Sequence, residues 1–384
     1  MRRTGIALAL LALALLVLAC SMARPAPAVG SELPAPRVDA RAYLVTNAVS
    51  GDVLVGKNAN ARLPIASLTK LMTVDVALQH LSLGQYVTVS AKAAEVGEES
   101  AGLKAGERIQ VDDLVRAALI QSANDAADAL ADAASGGDRA LFVSWMNKVA
   151  REIGLTRTHF VRPDGLDVRG HYSSARDLTR LAQWAMDLPI VRQDVRLRTS
   201  TISGGRRLTT WNDLLGVFPG VVGVKTGHTD DAGWCQVALL VRGGLQIYVT
   251  VLGSPSRSQR NHDLAALLRF ALSRYELVEV VSARDPLSKV ATEYGGPAVP
   301  VAALSSLRLP VRVDRPLVEK LVLPRTLPLP VRQGQGVGEV RVYSNGRLLG
   351  RRKLIAMRSV GKQSLLDKVG WYGSQTVHNL FGWI

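Results

Sequence analysis

Short β-type runs stand at both ends of one long helical region, and this order constrains the fold of the chain up to about residue 276. Arg41–Asn47 and Val53–Lys57 flank a turn at Ser50-Gly51-Asp52, and Val237–Val241 with Gln246–Leu252 form a second pair. Between the pairs, apolar residues recur at intervals of three and four, as in amphipathic helices. One sheet that joins both ends of this region and packs against helices satisfies the pattern, so we predict an α+β domain. The predicted helices are one from Ser67, then Val111–Leu119, Asn124–Ala134, Arg139–Ile153, Arg176–Met186 and Asp263–Ser273.

Beyond Leu277 the pattern changes to short Val- and Leu-rich runs that are separated by prolines. Asn345-Gly346 lies between the runs Glu339–Tyr343 and Arg347–Leu349, which is a strong hairpin signal. We therefore predict a small all-β domain over residues 277–361, and it contains no constellation of catalytic side chains.

The last segment, residues 362–384, has the pattern of an amphipathic helix. Its apolar and aromatic face consists of Leu365, Val369, Tyr372, Thr376, Leu380 and Phe381, with Trp371 and Trp383 at the border. Basic residues lie at its start and just upstream: Arg351, Arg352, Lys353, Arg358 and Lys362. This combination predicts an anchor on an anionic membrane surface. The alternative, a helix packed on the β domain, stays open.

The amino terminus has the pattern of a signal peptide over residues 1–28. Met1-Arg2-Arg3 precedes an apolar run from Ile6 to Ala19, and Ala26-Pro27-Ala28 offers a cleavage site. Leu18-Ala19-Cys20-Ser21 loosely resembles a lipoprotein box, so lipidation is a rival. Residues 29–40 form a linker. We expect an exported protein in the periplasm or on the outer face of the cytoplasmic membrane.

Charge and cysteine content narrow the possible partners. The formal net charge of +15 suits nucleic acid, anionic lipid or an acidic wall polymer, and charge alone does not choose among them. An exported chain without an aromatic-basic binding motif is not expected to bind nucleic acid. If Cys20 leaves with the signal, Cys235 stays alone, which excludes an intrachain disulfide and a cysteine-based zinc site.

Ser67-Leu68-Thr69-Lys70 is the first motif with catalytic potential. Positions i and i+3 share a helix face, so the amine of Lys70 would lie beside the hydroxyl of Ser67. A serine needs a base to act as a nucleophile, and a lysine serves as one when burial or nearby positive charge lowers its pKa. Ser359-Val360-Gly361-Lys362 repeats the spacing, and we interpret that second match as accidental.

Two further motifs follow in order. In Ser122-Ala123-Asn124, a hydroxyl could relay a proton and an amide could bind a peptide backbone, although both residues also favour helix caps. Lys225-Thr226-Gly227-His228-Thr229 precedes a strand pattern and offers a carboxylate clamp, with Gly227 allowing close approach of a substrate; the alternative is an ordinary turn. The ordered trio is typical of class A β-lactamases and penicillin-binding proteins.

The wider sequence resembles the low-molecular-weight penicillin-binding proteins, bacterial D-alanyl-D-alanine carboxypeptidases of peptidase family S11. The resemblance spans about Arg41 to Tyr275, and the β-rich domain and amphipathic tail also fit this layout. The segments that carry it are Pro64–Thr73, Gln121–Ala127, Met146-Asn147, Thr158–Phe160, Asp164–Asp167, His171–Leu178, Gly223–Thr229 and Ala232–Cys235. Arg162 and Asn47 stand where the family often has Asn and Asp, and neither is expected to touch the chemistry.

The resemblance implies a penicillin-binding/β-lactamase-like transpeptidase domain over residues 41–276 and a role for each motif. Ser67 would form the acyl-enzyme, Lys70 would activate it, and Ser122 would pass a proton to the departing D-alanine. Asn124 would hold the peptide, and Lys225 with Thr226 would bind its carboxylate. Backbone N–H groups of Ser67 and His228 would form the oxyanion hole. Neither a metal nor another cofactor is implied. The implied partners are stem peptides ending in D-Ala-D-Ala and β-lactam antibiotics.

Three other functions compete with the carboxypeptidase prediction. A class A β-lactamase needs a deacylating Glu-x-x-Leu-Asn between the second and third motifs, and the sequence has none. A D,D-endopeptidase that cuts crosslinks would use the same residues as the carboxypeptidase. A non-catalytic wall-binding protein would have no need for Lys70 beside Ser67.

Overall fold

The computed structural model describes residues 21–24 and 34–381, and the chain divides into two compact units. Ser31–Tyr275 is the first unit, and Glu276–Ile384 together with Met1–Gly30 is the second. Most of the predicted signal peptide, including Cys20 and Ala26-Pro27-Ala28, and the first residues of the linker lie outside the described residues, so these assignments stay predictions. Within that region the structure describes one strand, β1 (Ser21–Arg24).

The first unit is built on a five-stranded antiparallel sheet with the strand order β3-β2-β10-β9-β8. Its first hairpin pairs with a strand from the far end of the unit, with Val45 opposite Val249. This pairing confirms the α+β prediction. The unit contains the strands β2 (Ala42–Asn47), β3 (Val53–Lys57), β4 (Tyr86–Thr88), β5 (Arg108–Gln110), β6 (Thr199–Ile202), β7 (Arg206–Thr209), β8 (Val221–Thr229), β9 (Gly233–Arg242) and β10 (Leu245–Ser254).

Eight helices of this unit cover the sheet or pack on one another within the described residues. They are α1 (Lys70–Leu78), α2 (Ala91–Ala94), α3 (Val111–Arg116), α4 (Asn124–Ser135), α5 (Arg139–Glu152), α6 (Ala175–Ala185), α7 (Pro189–Asp194) and α8 (Arg257–Ser273). Helix α1 is buried on nearly every side, and apart from Lys70, Thr73 and Asp75 its residues are apolar. The central helix therefore provides a rigid base for residues at its amino end.

Helix α8 begins six residues before the predicted start at Asp263. The side chain of Ser256 accepts a hydrogen bond from the backbone N–H of Gln259 at 3.1 Å, which caps the helix at its true start. The first turns carry polar residues and lack apolar periodicity, so the sequence pattern did not reveal them.

The second unit is an all-β domain followed by one helix, as predicted. Its main sheet has the order β1-β15-β17-β18-β13-β12-β16, and β11 pairs with β14. Positive φ angles at Asn345 and Gly346 form the predicted hairpin turn. Its strands are β11 (Tyr275–Val281), β12 (Ser288–Thr292), β13 (Val299–Ala303), β14 (Leu307–Arg312), β15 (Leu317–Val322), β16 (Thr326–Leu327), β17 (Gly336–Ser344) and β18 (Arg347–Ala356).

The carboxy-terminal helix, α9 (Leu365–Phe381), leaves the apolar residues of its first two turns uncovered. Leu365 and Leu366 are 81% and 84% exposed. Trp371 does contact the domain, since its ring centroid lies 5.9 Å from that of Tyr294. Over the part of the chain that the structure describes, no helix combines the length and hydrophobicity needed to cross a bilayer.

Candidate active site

Ser67 and Lys70 meet at the amino end of α1. Ser67 lies in a 3₁₀ turn, Ala66–Thr69, that leads directly into the helix. The Nζ of Lys70 lies 2.7 Å from Ser67 Oγ, as the spacing predicts. It also donates to Asn124 Oδ1 and to the backbone carbonyl of Asp164, both at 2.7 Å. Three acceptors therefore fix this amine against the serine hydroxyl.

Burial leaves the Lys70 amine neutral, and so able to accept a proton, at a lower pH than an ordinary lysine. The side chain is completely buried, and desolvation lowers its pKa to about 8 against the raising effect of nearby carboxylates. The carboxylates that raise the pKa are those of Asp164, Asp128, Glu98 and Asp125. A useful fraction of the amine is therefore neutral near pH 8 and can accept a proton from Ser67.

Ser122 and Lys225 form a second buried pair. The Nζ of Lys225 donates to Ser122 Oγ at 2.7 Å and to the carbonyl of Thr226 at 2.9 Å. Burial and the charge of Lys70 hold the pKa of Lys225 well below its usual value. Ser122 has a left-handed φ of 72°, at the end of a π-helical turn, a conformation that is strained for a residue with a side chain. This turn points the hydroxyl at Lys225.

The third motif lies within strand β8, whereas the sequence predicted it just before a strand. Two glycines in the segment hide the strand from a pattern of β-favouring residues. A Cβ on Gly227 would lie 3.0 Å from the backbone nitrogen of Ser67. The glycine therefore lets the strand itself approach the Ser67 turn, in addition to the predicted role of admitting a substrate.

All eight predicted site residues converge on one cavity. The cavity has a volume of about 210 Å³. The predicted residues on its wall are Ser67, Ser122, Asn124, Thr226, Gly227 and His228. Lys70 and Lys225 are buried behind this wall and reach Ser67 and Ser122 by their amines. In the described ranges, no three His, Cys, Asp or Glu side chains are grouped to hold a metal ion.

Comparisons with family profiles and with individual known proteins point to the same family. The profile of the D-alanyl-D-alanine carboxypeptidase family matches residues 30–256. D-alanyl-D-alanine carboxypeptidase DacA of Escherichia coli is 31% identical over 378 residues, which covers 90% of each chain. This chain belongs to the D-alanyl-D-alanine carboxypeptidase family. The predicted enzyme class, a serine carboxypeptidase, is thereby confirmed.

The carboxypeptidase also matches its relatives beyond the catalytic unit. Residues 275–362 match the C-terminal domain of penicillin-binding protein 5. The crystal structure of penicillin-binding protein 5 from Haemophilus influenzae aligns with a TM-score of 0.62 and 28% identity, covering 86% of this chain and all of that one. Penicillin-binding protein D2 from Listeria monocytogenes in its ampicillin-bound form aligns with a TM-score of 0.57 and 33% identity, covering 62% and 99%.

Arg260 is a site residue of the carboxypeptidase that sequence reasoning missed. It lies in the first turn of α8 and lines the cavity, where its guanidinium donates to Asp213 at 2.8 Å. Burial lowers its pKa to about 10, so it stays charged at neutral pH. The available signal was an arginine in the first turn of the helix that follows β10, within the polar turns that the helix prediction omitted. The other unpredicted wall residues are Glu98, Glu99, Trp211 and Trp234.

The two departures from the family pattern have different surroundings. Asn47 donates to the hydroxyl of Tyr275 at 2.8 Å and organises the turn after β2, away from the cavity. Arg162 forms an ion pair with Asp164, whose backbone carbonyl contacts Lys70. That Arg162 does not touch the chemistry itself stays a prediction, and the structure adds that one residue, Asp164, links it to Lys70.

Proposed function

We propose that this carboxypeptidase removes the terminal D-alanine of peptidoglycan stem peptides with Ser67 as nucleophile and Lys70 as its base. The distance of 2.7 Å between the buried Lys70 amine and Ser67 Oγ carries the assignment. Lys70 takes the hydroxyl proton while Oγ bonds to the carbonyl carbon of the penultimate D-alanine. The resulting oxyanion accepts hydrogen bonds from the backbone N–H groups of Ser67 and His228.

Collapse of this intermediate breaks the peptide C–N bond and releases D-alanine. Ser122 Oγ accepts a hydrogen bond from Lys225, so its own proton is free to pass to the departing amine. Ser122 regains a proton from the lysine pair, and water then cleaves the Ser67 ester. The shortened peptide leaves, and the serine hydroxyl is restored.

The charged guanidinium of Arg260 and the N–H and O–H donors of Lys225 and Thr226 suit the terminal carboxylate of the substrate. We assign its binding to Lys225, Thr226 and Arg260, because arginine presents a planar fork that matches a carboxylate. Asn124 holds the peptide backbone and also accepts from Lys70, which connects substrate position to the base. The apolar faces of Trp211 and Trp234 complete the cavity wall.

A β-lactam offers the same site an acyl group, and we propose that Ser67 is acylated by penicillin. The ampicillin-bound form of the similar Listeria protein supports this. Mass spectrometry after penicillin treatment should locate a stable adduct on the peptide that contains Ser67. An adduct elsewhere, or rapid hydrolysis of the drug, would contradict the assignment. Release of D-alanine from pentapeptides should exceed cleavage of crosslinked dimers, which separates carboxypeptidase from endopeptidase activity.

We also propose that α9 holds the exported enzyme on an anionic membrane surface. Leu365, Leu366 and Val369 are exposed, and basic residues lie just upstream. A chain that ends at Gly361 should lose binding to vesicles containing phosphatidylglycerol and keep full activity on soluble peptides. Sedimentation with anionic and with neutral vesicles provides the comparison. Equal vesicle binding by the full and shortened chains would refute the anchor.

A further inference from the structure

Arg162 and Asp164 form a tight ion pair beside the catalytic base. The Nε of Arg162 lies 2.5 Å from Asp164 Oδ1, and its second nitrogen lies 2.6 Å from Oδ2. Such a bidentate pair fixes geometry as well as charge. The Asp164 side chain is 1% exposed, whereas Arg162 is partly exposed at 33%. Arg162 is therefore the main partner of a charge that solvent does not reach, beside a hydrogen bond from the backbone N–H of Leu166.

The loop that carries Asp164 packs directly on the nucleophile turn. While the Asp164 carboxylate binds Arg162, its backbone carbonyl accepts from Lys70 Nζ at 2.7 Å. Gly165, the next residue, has a φ of 88°, and a Cβ there would lie 2.2 Å from the carbonyl oxygen of Ala66. The position of Asp164 is thus set on one side by this close contact and on the other by Arg162.

A second acid lies within electrostatic reach of both Asp164 and Lys70. Asp128 is buried and binds Arg139 at 2.5 Å, and burial together with the charge of Asp164 raises the pKa of Asp128 to about 7. The net charge near Lys70 therefore depends on whether Asp128 is protonated, and Asp128 changes its protonation near neutral pH. The charged and titratable groups that act on Lys70 or its partners are Glu98, Glu99, Asp125, Asp128, Asp132, Asp164, Asp167, His159, His171, Lys225, Arg139, Arg162 and Arg260.

We propose that Arg162 is a positioning residue for the reaction: it fixes the Asp164 loop against Lys70 and offsets the Asp164 charge, so that Lys70 can work as a neutral amine. The inference rests on the proposed role of Lys70. Without Arg162, an uncompensated carboxylate would favour the protonated amine.

The test is the pH dependence of Ser67 acylation in the full-length enzyme. The second-order rate constant for a fluorescent penicillin is measured from pH 5.5 to 9.5 for the wild type and for R162N, R162K and D164N. R169N is the matched control, because Arg169 is an exposed arginine in the same segment. Thermal unfolding of each variant is recorded in parallel.

We expect R162N to move the acidic limb of the profile up by about one pH unit, which lowers the rate about tenfold below the limb. D164N should move the limb in the opposite direction, because it removes a carboxylate that favours protonated Lys70. R162K keeps the charge and should restore most of the rate, and R169N should match the wild type. If R162N does not fold, the direction of the D164N shift carries the test.

The inference would be overturned if the acidic limbs of the R162N and D164N pH profiles stayed at the wild-type pH and only the unfolding temperature fell. The ion pair would then have a structural role alone. Failure of the proposed function is a separate result. It would appear in the wild type itself, as an adduct that does not map to Ser67.

Discussion

The chain contains the Ser-x-x-Lys spacing twice, and the two copies have nothing in common but the spacing. At Ser67 and Lys70 the segment is helical, and the buried amine lies 2.7 Å from the hydroxyl. At Ser359 and Lys362 the segment follows β18 without helical structure, and both side chains are exposed. Ser359 Oγ accepts from the backbone N–H of Gln333 at 2.9 Å, an ordinary loop contact.

The difference shows what allows this spacing to hold a neutral amine beside a hydroxyl. A helix brings i and i+3 to one face, and burial removes the water that would keep the amine protonated. The second copy lacks both, so Ser359 has no base and Lys362 stays in solvent. Lys362 instead belongs to the basic group that precedes α9, where a hydrated positive charge can attract anionic lipid.

Removing each serine gives the largest effect and the simplest way to break this comparison. S67A should lower D-alanine release from a pentapeptide by about 10⁴-fold or more, because the reaction loses its nucleophile. S359A should leave the rate unchanged. Steady-state assays with intact-mass analysis after penicillin treatment check both variants. Wild-type activity in S67A, or a large loss of activity in S359A, would show that the nucleophile is not Ser67.

The two lysines sharpen the comparison through pH. K70Q should slow acylation by penicillin by about 10²–10⁴-fold, the usual contribution of a positioned base. In the wild type, burial lowers the pKa of Lys70 to about 8, so the rate should rise with pH through about 8 as the amine loses its proton. The matched control is K362Q, which should keep both the rate and the profile. A K362Q profile that lost this limb would contradict the assignment.

Replacing His171, which contacts the turn that carries Ser67, should give the smallest of these effects. Its Nε2 lies 2.8 Å from Thr69 Oγ1, and Nδ1 accepts from the backbone N–H of Val161. Burial lowers its pKa to about 4, so the fold holds a neutral ring that the unfolded chain protonates near pH 6.5.

The stability that depends on neutral His171 is present above pH 6.5 and is lost as the pH falls toward 4. Urea unfolding at pH 7 and pH 4 should show that the wild type loses about 3 kcal/mol more than H171Q over this interval. H262Q is the control, because His262 is exposed. Equal losses in the wild type and H171Q would exclude this role for the ring.

Local patterns predicted much of the fold because they report on local physics. The hairpins, the order of helices and the change near residue 277 follow from apolar periodicity and turn residues. The start of α8 and the strand that contains Lys225 were missed, since polar turns and glycines carry no such periodicity. Arg260 entered the site only because the fold returns α8 to the cavity.

By itself the sequence determined which residue types are available and in what order: three motifs, two units and an amphipathic tail. It also identified the family, because those motifs recur there in the same order. Only the tertiary structure decided that the amine of the first Ser-x-x-Lys is buried against its hydroxyl, and that Arg162 reaches Lys70 through Asp164. Burial, pKa and hydrogen-bond partners depend on residues distant in the chain, and a linear pattern contains no record of those distances.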